Sequence, residues 1–331
     1  MNNLGLYLTA VLIWGSTWLV ITFQLGTVPP EVSVAYRFAL AGVMLLLWSL
    51  VRKLRLKFSL REHGWMTLQG GLLFGLNYVC VYLAEGRISS GLVAVIFSLI
   101  TFFNIAGARL FFKTPIRPTT VVAALLGVSG VALIFLPELR RPAQGGDAVL
   151  GVILSVVGTI SACAGNLISA RNQRRGLPVV QLNTFGMLYG AAFVALYAAV
   201  LGRDFVFDPS LRYVLSLGYL ALFGSVLAFG AYLTLVGRIG ADRAGYTAAA
   251  IPMVALQRKF AEVGINLDYK GGADWVTKLN FLKEHLHLEG TADPVRLHHR
   301  CPGVCPHLIL RWQLGMIASA LVPLALSVNI K

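Results

Sequence analysis

The chain has 331 residues, of which 57% are hydrophobic and only 13% are charged. Soluble domains carry about 25% charged residues, so this composition excludes a soluble cytosolic enzyme. Four cysteines exclude a disulfide-stapled scaffold. The net charge of +14 is typical of a membrane protein with Lys and Arg in its cytoplasmic loops, and it does not indicate a nucleic-acid partner.

Long apolar runs follow one another from the N-terminus. Each has about the 17–25 residues that a helix needs to cross the hydrocarbon core of a bilayer. Lipid offers no hydrogen bonds to the backbone, and the runs lack the alternation of a membrane β-barrel. We therefore predict an all-α polytopic membrane protein whose partner is the lipid bilayer. A ninth run begins at Ala244, and eight precede it: Leu4–Phe23, Ser33–Val51, Trp65–Glu85, Ser90–Phe112, Pro118–Leu136, Ala148–Ala170, Val179–Leu201 and Leu211–Val236.

The basic residues of the loops predict the orientation. The segment Arg52–His63 contains five Lys or Arg residues, whereas the loop Gln24–Val32 contains none. Cytoplasmic loops of membrane proteins carry the excess of Lys and Arg. We expect a multi-pass protein of the inner membrane with a cytoplasmic N-terminus.

The second half of the chain repeats features of the first. The string "VYLAEGRISSG" at residues 81–91 reappears as "AYLTLVGRIGAD" at residues 231–242. The offset of about 150 residues contains five predicted helices, so the second copy is inverted relative to the first. Inverted repeats are typical of secondary transporters. A chance match of short apolar strings is the alternative, and the matched order and similar offset favour a ten-helix bundle built from two inverted five-helix repeats.

Four strings follow one another along the chain: "WGSTWLV" at 14–20, "VAYRFALAG" at 34–42, "GRISSGLVAVIFSLITFFNIAGARLFF" at 86–112 and "GADRAGYTAAAIPMVA" at 240–255. In this order they resemble the EamA-domain permeases of the drug/metabolite transporter superfamily. The resemblance covers residues 1–256 and implies export of a small solute, cytoplasmic termini and no catalysis. A clustered acid, base or metal and a phosphate-binding loop are missing from this part of the sequence, so we expect no enzyme and no cofactor.

The resemblance ends where the composition changes. Ala244–Leu256 has 13 residues, which rise about 20 Å and fall short of the roughly 30 Å core. The 49 residues Gln257–Cys305 that follow contain 13 charged residues. Either a polar insertion separates helices nine and ten, or a frame disruption has replaced the helix. We predict a first repeat over 1–136, a second with a truncated ninth helix over 148–256, a polar atypical segment over 257–305 and a possible final helix over 306–331.

The polar segment also contains a group of Cys and His residues, but its spacing matches no standard zinc site, so we expect no bound metal. The group comprises His298, His299, Cys301, Cys305 and His307.

Polar and aromatic side chains within the predicted spans are candidates for a substrate site, because such groups are unfavourable in lipid and turn towards the bundle interior. Hydrogen bonding between helices and an aromatic belt at the membrane interface are the alternative roles. Gly71 and Gly75 form "GLLFG", a predicted close-packing motif. The candidates are Trp14, Thr17, Arg37, Tyr78, Tyr82, Glu85, Ser98, Thr101, Asn104 and Tyr246.

Arg37 is the most specific of these candidates. It lies about 6 Å along helix two from its predicted outer end. It is expected either to bind a substrate carboxylate or to pair with Glu85, and the alternative is that it extends to the outer interface. Arg109 is expected to extend to the inner interface.

These observations predict a secondary transporter that exports a small metabolite, an amino acid or a drug by alternating access. Its partner is then a small-molecule substrate, and a homodimer is possible as its assembly. The alternatives are a membrane scaffold without transport activity and an inactive transporter disrupted after residue 256.

Overall fold

A computed structural model describes residues 1–24, 26–88, 90–116, 118–134, 146–248 and 250–251. Within these residues the secondary structure is helical and contains no strand. The predicted segments 257–305 and 306–331, the group of Cys and His residues, and the end of predicted helix nine lie outside the described residues. The helices are α1 (Asn3–Thr22), α2 (Pro30–Val51), α3 (Leu60–Glu85), α4 (Ser90–Ser98), α5 (Ile100–Phe112), α6 (Pro118–Ile134), α7 (Gly146–Arg174), α8 (Val179–Val200), α9 (Leu211–Ile239) and α10 (Ala241–Ala244).

Six segments of the described chain are long and apolar enough to cross a membrane. This confirms the predicted all-helical class for the described part of the chain, with several candidate spans. The six are Pro30–Val51, Leu60–Glu85, Val95–Phe112, Asp147–Arg174, Val179–Val200 and Leu211–Ile239.

Polar end signals set where several helices begin. Ser59 and Glu62 form a capping box at the start of α3, in which Glu62 Oε2 accepts from the Ser59 backbone N–H at 2.6 Å. Such a box satisfies amides that have no partner inside the helix. The helix therefore starts at Leu60, ahead of the predicted apolar run at Trp65. In α2, Pro30 occupies the first turn, where its missing N–H is not needed.

One predicted helix is interrupted. The run Ser90–Phe112 was expected to be continuous, but a turn at Leu99 separates α4 from α5. Just before it, the Ser98 hydroxyl donates to the Val95 carbonyl at 2.6 Å. Such local bonds from serine to the backbone compete with the helical ladder and often bend helices.

Two stretches are π-helical, which the sequence did not predict. They are Gly71–Leu76 inside α3 and Leu220–Leu227 inside α9. Their first residues are 149 positions apart, close to the offset of the sequence repeat. A π-helical turn frees backbone carbonyls from the regular ladder and is frequent at functional sites.

The helices pack in a limited set of pairs. α2 lies along α8, α1 along α9, and α3 along α7, with further contacts between α3 and α8 and between α2 and α9. The α3–α8 contact is closest at Gly70, where an added Cβ would lie 2.8 Å from the Gly186 Cα. Gly75 packs against Phe193, whereas Gly71 has nothing within 4 Å of an added Cβ. The prediction of close helix–helix packing is therefore correct for Gly75 and wrong for Gly71. Gly70, one residue earlier, makes the close contact instead.

Candidate functional site

The π-helical part of α9 is where side chains from the first two helices converge. Trp14 on α1 donates its indole N–H to the Gly224 carbonyl at 3.0 Å. Arg37 on α2 donates its Nε–H to Ser225 Oγ at 2.9 Å. The Ser225 hydroxyl in turn donates to the Leu220 carbonyl, five residues earlier, at 3.1 Å. The widened turn thus supplies the carbonyls that Trp14 and Ser225 use.

Gly224 allows this convergence because it has no side chain. A Cβ at Gly224 would lie 2.9 Å from Arg37 Nη2 and 2.9 Å from Thr17 Cγ2. Thr17 is buried, and its hydroxyl donates to the Trp14 carbonyl one turn earlier. Arg37, Thr17 and the indole of Trp14 therefore all lie against the backbone of one residue.

Aromatic rings surround the guanidinium of Arg37. Its Cζ atom lies 5.4 Å from the centroid of the Phe38 ring and 5.7 Å from that of Tyr78. These two rings contact each other edge to face at 4.8 Å. At such distances the ring faces attract a cation. Four predicted residues, Trp14, Thr17, Arg37 and Tyr78, thus belong to one cluster, which we call the Arg37 cluster.

Arg37 is buried, with 3% of its surface exposed. The structure therefore does not extend its side chain to the outer interface. It also forms no ion pair with Glu85 within the described residues; Glu31, the other acid near the outer end, pairs with Arg203 at 3.4 Å. Arg109 differs, since it is exposed near the end of α5 and reaches towards the Lys113 carbonyl.

A second group lies where α5 meets the chain after α10. Thr101 donates its hydroxyl to the Gly245 carbonyl at 3.3 Å. Asn104 is fully buried, and neither its Nδ2 nor its Oδ1 makes a hydrogen bond of regular geometry among the described residues, although the Tyr232 hydroxyl lies close enough to interact with this side chain. Its amide adjoins Gly245, where an added Cβ would lie 2.8 Å from Nδ2. Tyr246 directs its hydroxyl away, to the Thr120 carbonyl.

Three predicted residues make no described hydrogen bond to either group. Ser98 satisfies its hydroxyl on its own helix. Tyr82 and Glu85 are half-buried, and the described hydrogen bonds include neither side chain. Tyr82 nevertheless lies close enough to Arg37, Tyr78 and Glu85 to interact with them electrostatically. The structure thus places Tyr82 beside the Arg37 cluster without a hydrogen bond to it, and Ser98 outside it.

The sequence did not single out Ser225, Tyr232 or Asn166. The Tyr232 ring lies 5.2 Å from that of Trp14, and its hydroxyl accepts a hydrogen bond from Asn166 Nδ2 at 2.9 Å. The repeat could have found Tyr232, because it stands where the first copy has Tyr82. Ser225 and Asn166 carried no comparable signal, since small polar residues are common in membrane helices.

Comparisons with known proteins identify the family of the chain. The EamA-like transporter family matches residues 3–136 and again residues 149–260. The chain belongs to this family. A transporter family matched over both halves, together with the apolar helices, indicates a multi-pass membrane protein.

Individual relatives agree with the family. The uncharacterized inner membrane transporter YedA of Escherichia coli (strain K12) is 31% identical over 255 residues, which cover 76% of this chain and 80% of YedA. The uncharacterized transporter YoaV of Bacillus subtilis (strain 168) is 22% identical over 257 residues, covering 75% and 84%. A protein of known crystal structure aligns over 98% of this chain and 97% of its own, with a TM-score of 0.70 at 18% identity. That last likeness concerns the fold alone.

Proposed function

We propose that this EamA-family member is a secondary transporter that exports a small metabolite, an amino acid or a drug across the inner membrane. The observation that carries the proposal is the Arg37 cluster, in which side chains of α1 and α2 from the first half meet the backbone of α9 in the second. A polar site at such a junction is the place where a solute binds in repeat-built transporters.

The helix pairs support two inverted repeats. Suppose that α1, α2 and α3 of the first repeat correspond to α7, α8 and α9 of the second. The contact between α1 and α9 then has its counterpart in the contact between α7 and α3, and the contact between α2 and α8 is its own counterpart. All three pairs are among the observed contacts. The five-helix repeat of the sequence supplies the correspondence, and we extend it to ten helices in total.

The π-helical segments support the same correspondence. In α9, the Gly224 carbonyl accepts from Trp14 of α1. In α3, the Leu72 carbonyl accepts from the hydroxyl of Ser161 on α7 at 2.8 Å. Each segment is thus held by a side chain from the first helix of the opposite repeat.

This arrangement suits alternating access. The two segments are points at which α3 and α9 depart from the regular helix, and helices bend readily at such points. Rocking of one repeat against the other around the Arg37 cluster would expose the solute to each side in turn. Trp14, Thr17, Arg37 and Tyr78 would contact the solute, and Asn104 would offer its buried amide.

The domain bounds and the orientation are part of the proposal. The first repeat spans 1–136, the second spans 148–256 with a truncated ninth helix, and the N-terminus is cytoplasmic. The polar atypical segment over 257–305 and a possible final helix over 306–331 stay predictions from the sequence. The family match ends at residue 260, close to the predicted departure at Gln257.

Export is tested in cells that overproduce the chain. We expect growth in the presence of an inhibitory concentration of at least one amino acid or drug, together with lower accumulation of that compound in the cell. Arg37→Gln, at equal abundance in the membrane, should remove the protection. Equal growth of producing and non-producing cells over the whole panel would favour a scaffold or an inactive chain instead.

A further inference from the structure

Arg37 is a buried cation with no carboxylate beside it among the described residues. Its only described hydrogen bond goes to the neutral Ser225 hydroxyl. Glu31, six residues earlier on α2, is paired with Arg203, and Glu85 forms no ion pair with Arg37 in the described chain. A buried charge is unfavourable unless an opposite charge accompanies it. The protein thus provides one half of an ion pair.

The N–H donors of Arg37 that are not used indicate the shape of the anion that would pair with it. A guanidinium carries five N–H donors in one plane, and the described bond uses the donor on Nε. The N–H groups on Nη1 and Nη2 have no acceptor among the described residues. Two parallel N–H groups at this edge match the two oxygens of a carboxylate, which arginine binds in a bidentate manner.

The bond to Ser225 does not by itself account for the charge. It uses one N–H donor to connect α2 with the π-helical segment of α9. A neutral side chain such as glutamine supplies that donor without a buried charge. A guanidinium at this position therefore points to a role beyond the connection between the helices.

The surroundings of Arg37 indicate the rest of the ligand. The rings of Phe38 and Tyr78 lie beside the guanidinium, and Trp14 lies against Gly224, the residue that Arg37 also contacts. The other arginine well inside the predicted spans, Arg109, is exposed near the end of its helix. One cation balances one negative charge, so a second carboxylate on the ligand would be buried without a partner.

We propose that the transported solute is a small organic monocarboxylate with an apolar body, and that Arg37 binds its carboxylate through Nη1 and Nη2. The proposal rests on the function proposed above and narrows its substrate class. The carboxylate belongs either to a simple acid or to an amino acid. In both cases it supplies the charge that Arg37 lacks, while the apolar body packs against the rings.

Matched pairs of acid and amide test this assignment on the purified full chain. The probes are 3-phenylpropionate and 4-methylpentanoate with their carboxamides, phenylalanine and leucine as amino acids, and succinate as a dianion. We expect at least one monocarboxylate to raise the melting temperature by about 3 °C or more at saturating concentration. The matched amide and succinate should have no such effect.

Variants assign the effect to Arg37. Arg37→Gln should weaken binding of the stabilising acid about a hundredfold, because the charge and the paired donors are both lost. Arg37→Lys should weaken it by about tenfold, since the charge remains but the planar fork is lost. Arg109→Gln, the matched control at the other arginine, should bind as the unmodified chain does.

Several results would overturn the assignment. These are equal stabilisation by acid and amide, an undiminished effect of the acid on Arg37→Gln, or no effect of any monocarboxylate on the folded chain. The comparison of acid with amide uses the unmodified chain, so it decides the question even where a variant fails to fold. Transport of a neutral solute without any effect of carboxylates would leave the transporter function standing and defeat this assignment alone. Stabilisation through Arg37 without transport of the acid would defeat the transporter function instead.

Discussion

At the scale of single residues, the Arg37 cluster depends on the absence of a side chain at Gly224. Its backbone accepts the indole N–H of Trp14, while Arg37 and Thr17 occupy the space that a Cβ would need. Gly230 on the same helix has nothing within 4 Å of an added Cβ. Adding a side chain at Gly224 therefore tests the cluster, and the same change at Gly230 is the control.

Gly224→Leu should displace the guanidinium of Arg37 from Ser225 and lower both transport and thermal stability. Overpacking of a well-packed site costs about 1–3 kcal/mol, which corresponds to a clear fall in melting temperature. Gly230→Leu should leave both properties near those of the unmodified chain. Thermal unfolding in detergent and solute uptake measure the pair, and equal effects of both substitutions would show that Gly224 is not special.

At the scale of helices, the π-helical segments of α3 and α9 are the features that connect the two halves. Each offers a backbone carbonyl to a side chain of the opposite half, from Trp14 in one case and from Ser161 in the other. These two hydrogen bonds hold the segments in the observed conformation. If the segments act as hinges, the bonds influence how the chain divides between its two open states.

Trp14→Phe and Ser161→Ala each remove one of these donors. A hydrogen bond contributes about 1 kcal/mol, which shifts a conformational equilibrium about fivefold. We expect a change in transport rate of about that size, and a larger change in the double variant. Thr234→Ala is the control, because the Thr234 hydroxyl bonds only to Gly230 of its own helix, outside the segment. Unchanged rates in all variants would contradict a hinge role.

The sequence predicts helices better than it predicts their interruptions. Apolar length is sufficient to locate α2 and α8 within a few residues, because the bilayer sets that length. The π-helical turn at Gly71 and the break at Leu99 depend on packing between helices, and hydropathy is insensitive to packing. For the same reason the sequence predicted Arg37 as a site residue but did not predict Ser225 as its hydrogen-bond partner. The neighbours of a buried side chain follow from tertiary contacts that a single helix does not specify.

At the scale of the whole molecule, the proposed orientation makes a direct prediction. In a chain whose native cysteines are replaced by serine, cysteines at Lys53 and at Arg174 should be shielded from an impermeant thiol reagent in intact cells. A cysteine at Thr27 should react. All three positions are exposed in the structure, so burial does not explain a difference. The reverse labelling pattern would place the N-terminus outside.

The segment 257–305 is expected to affect the stability of the whole molecule. The predicted ninth helix, which begins at Ala244, corresponds to α5 in the first half. If the segment 257–305 replaces the rest of that helix, the second half lacks the helix that packs at this position in the first half, and one face of the bundle is not covered. Replacing 257–305 by about ten apolar residues and a short turn should then raise the melting temperature by several degrees, because helix nine could cross the core. A polar insertion with its own fold predicts the opposite, namely lower stability and loss of transport.

The central claim is that the two halves alternate around the Arg37 cluster to move a solute. Counterflow in proteoliposomes tests it most directly, with the solute identified by the growth screen. Vesicles preloaded with unlabelled solute should accumulate the labelled solute transiently above its external concentration, and empty vesicles should not. Arg37→Gln should abolish that accumulation. Simple equilibration of the label, independent of preloading, would indicate a pore and contradict alternating access.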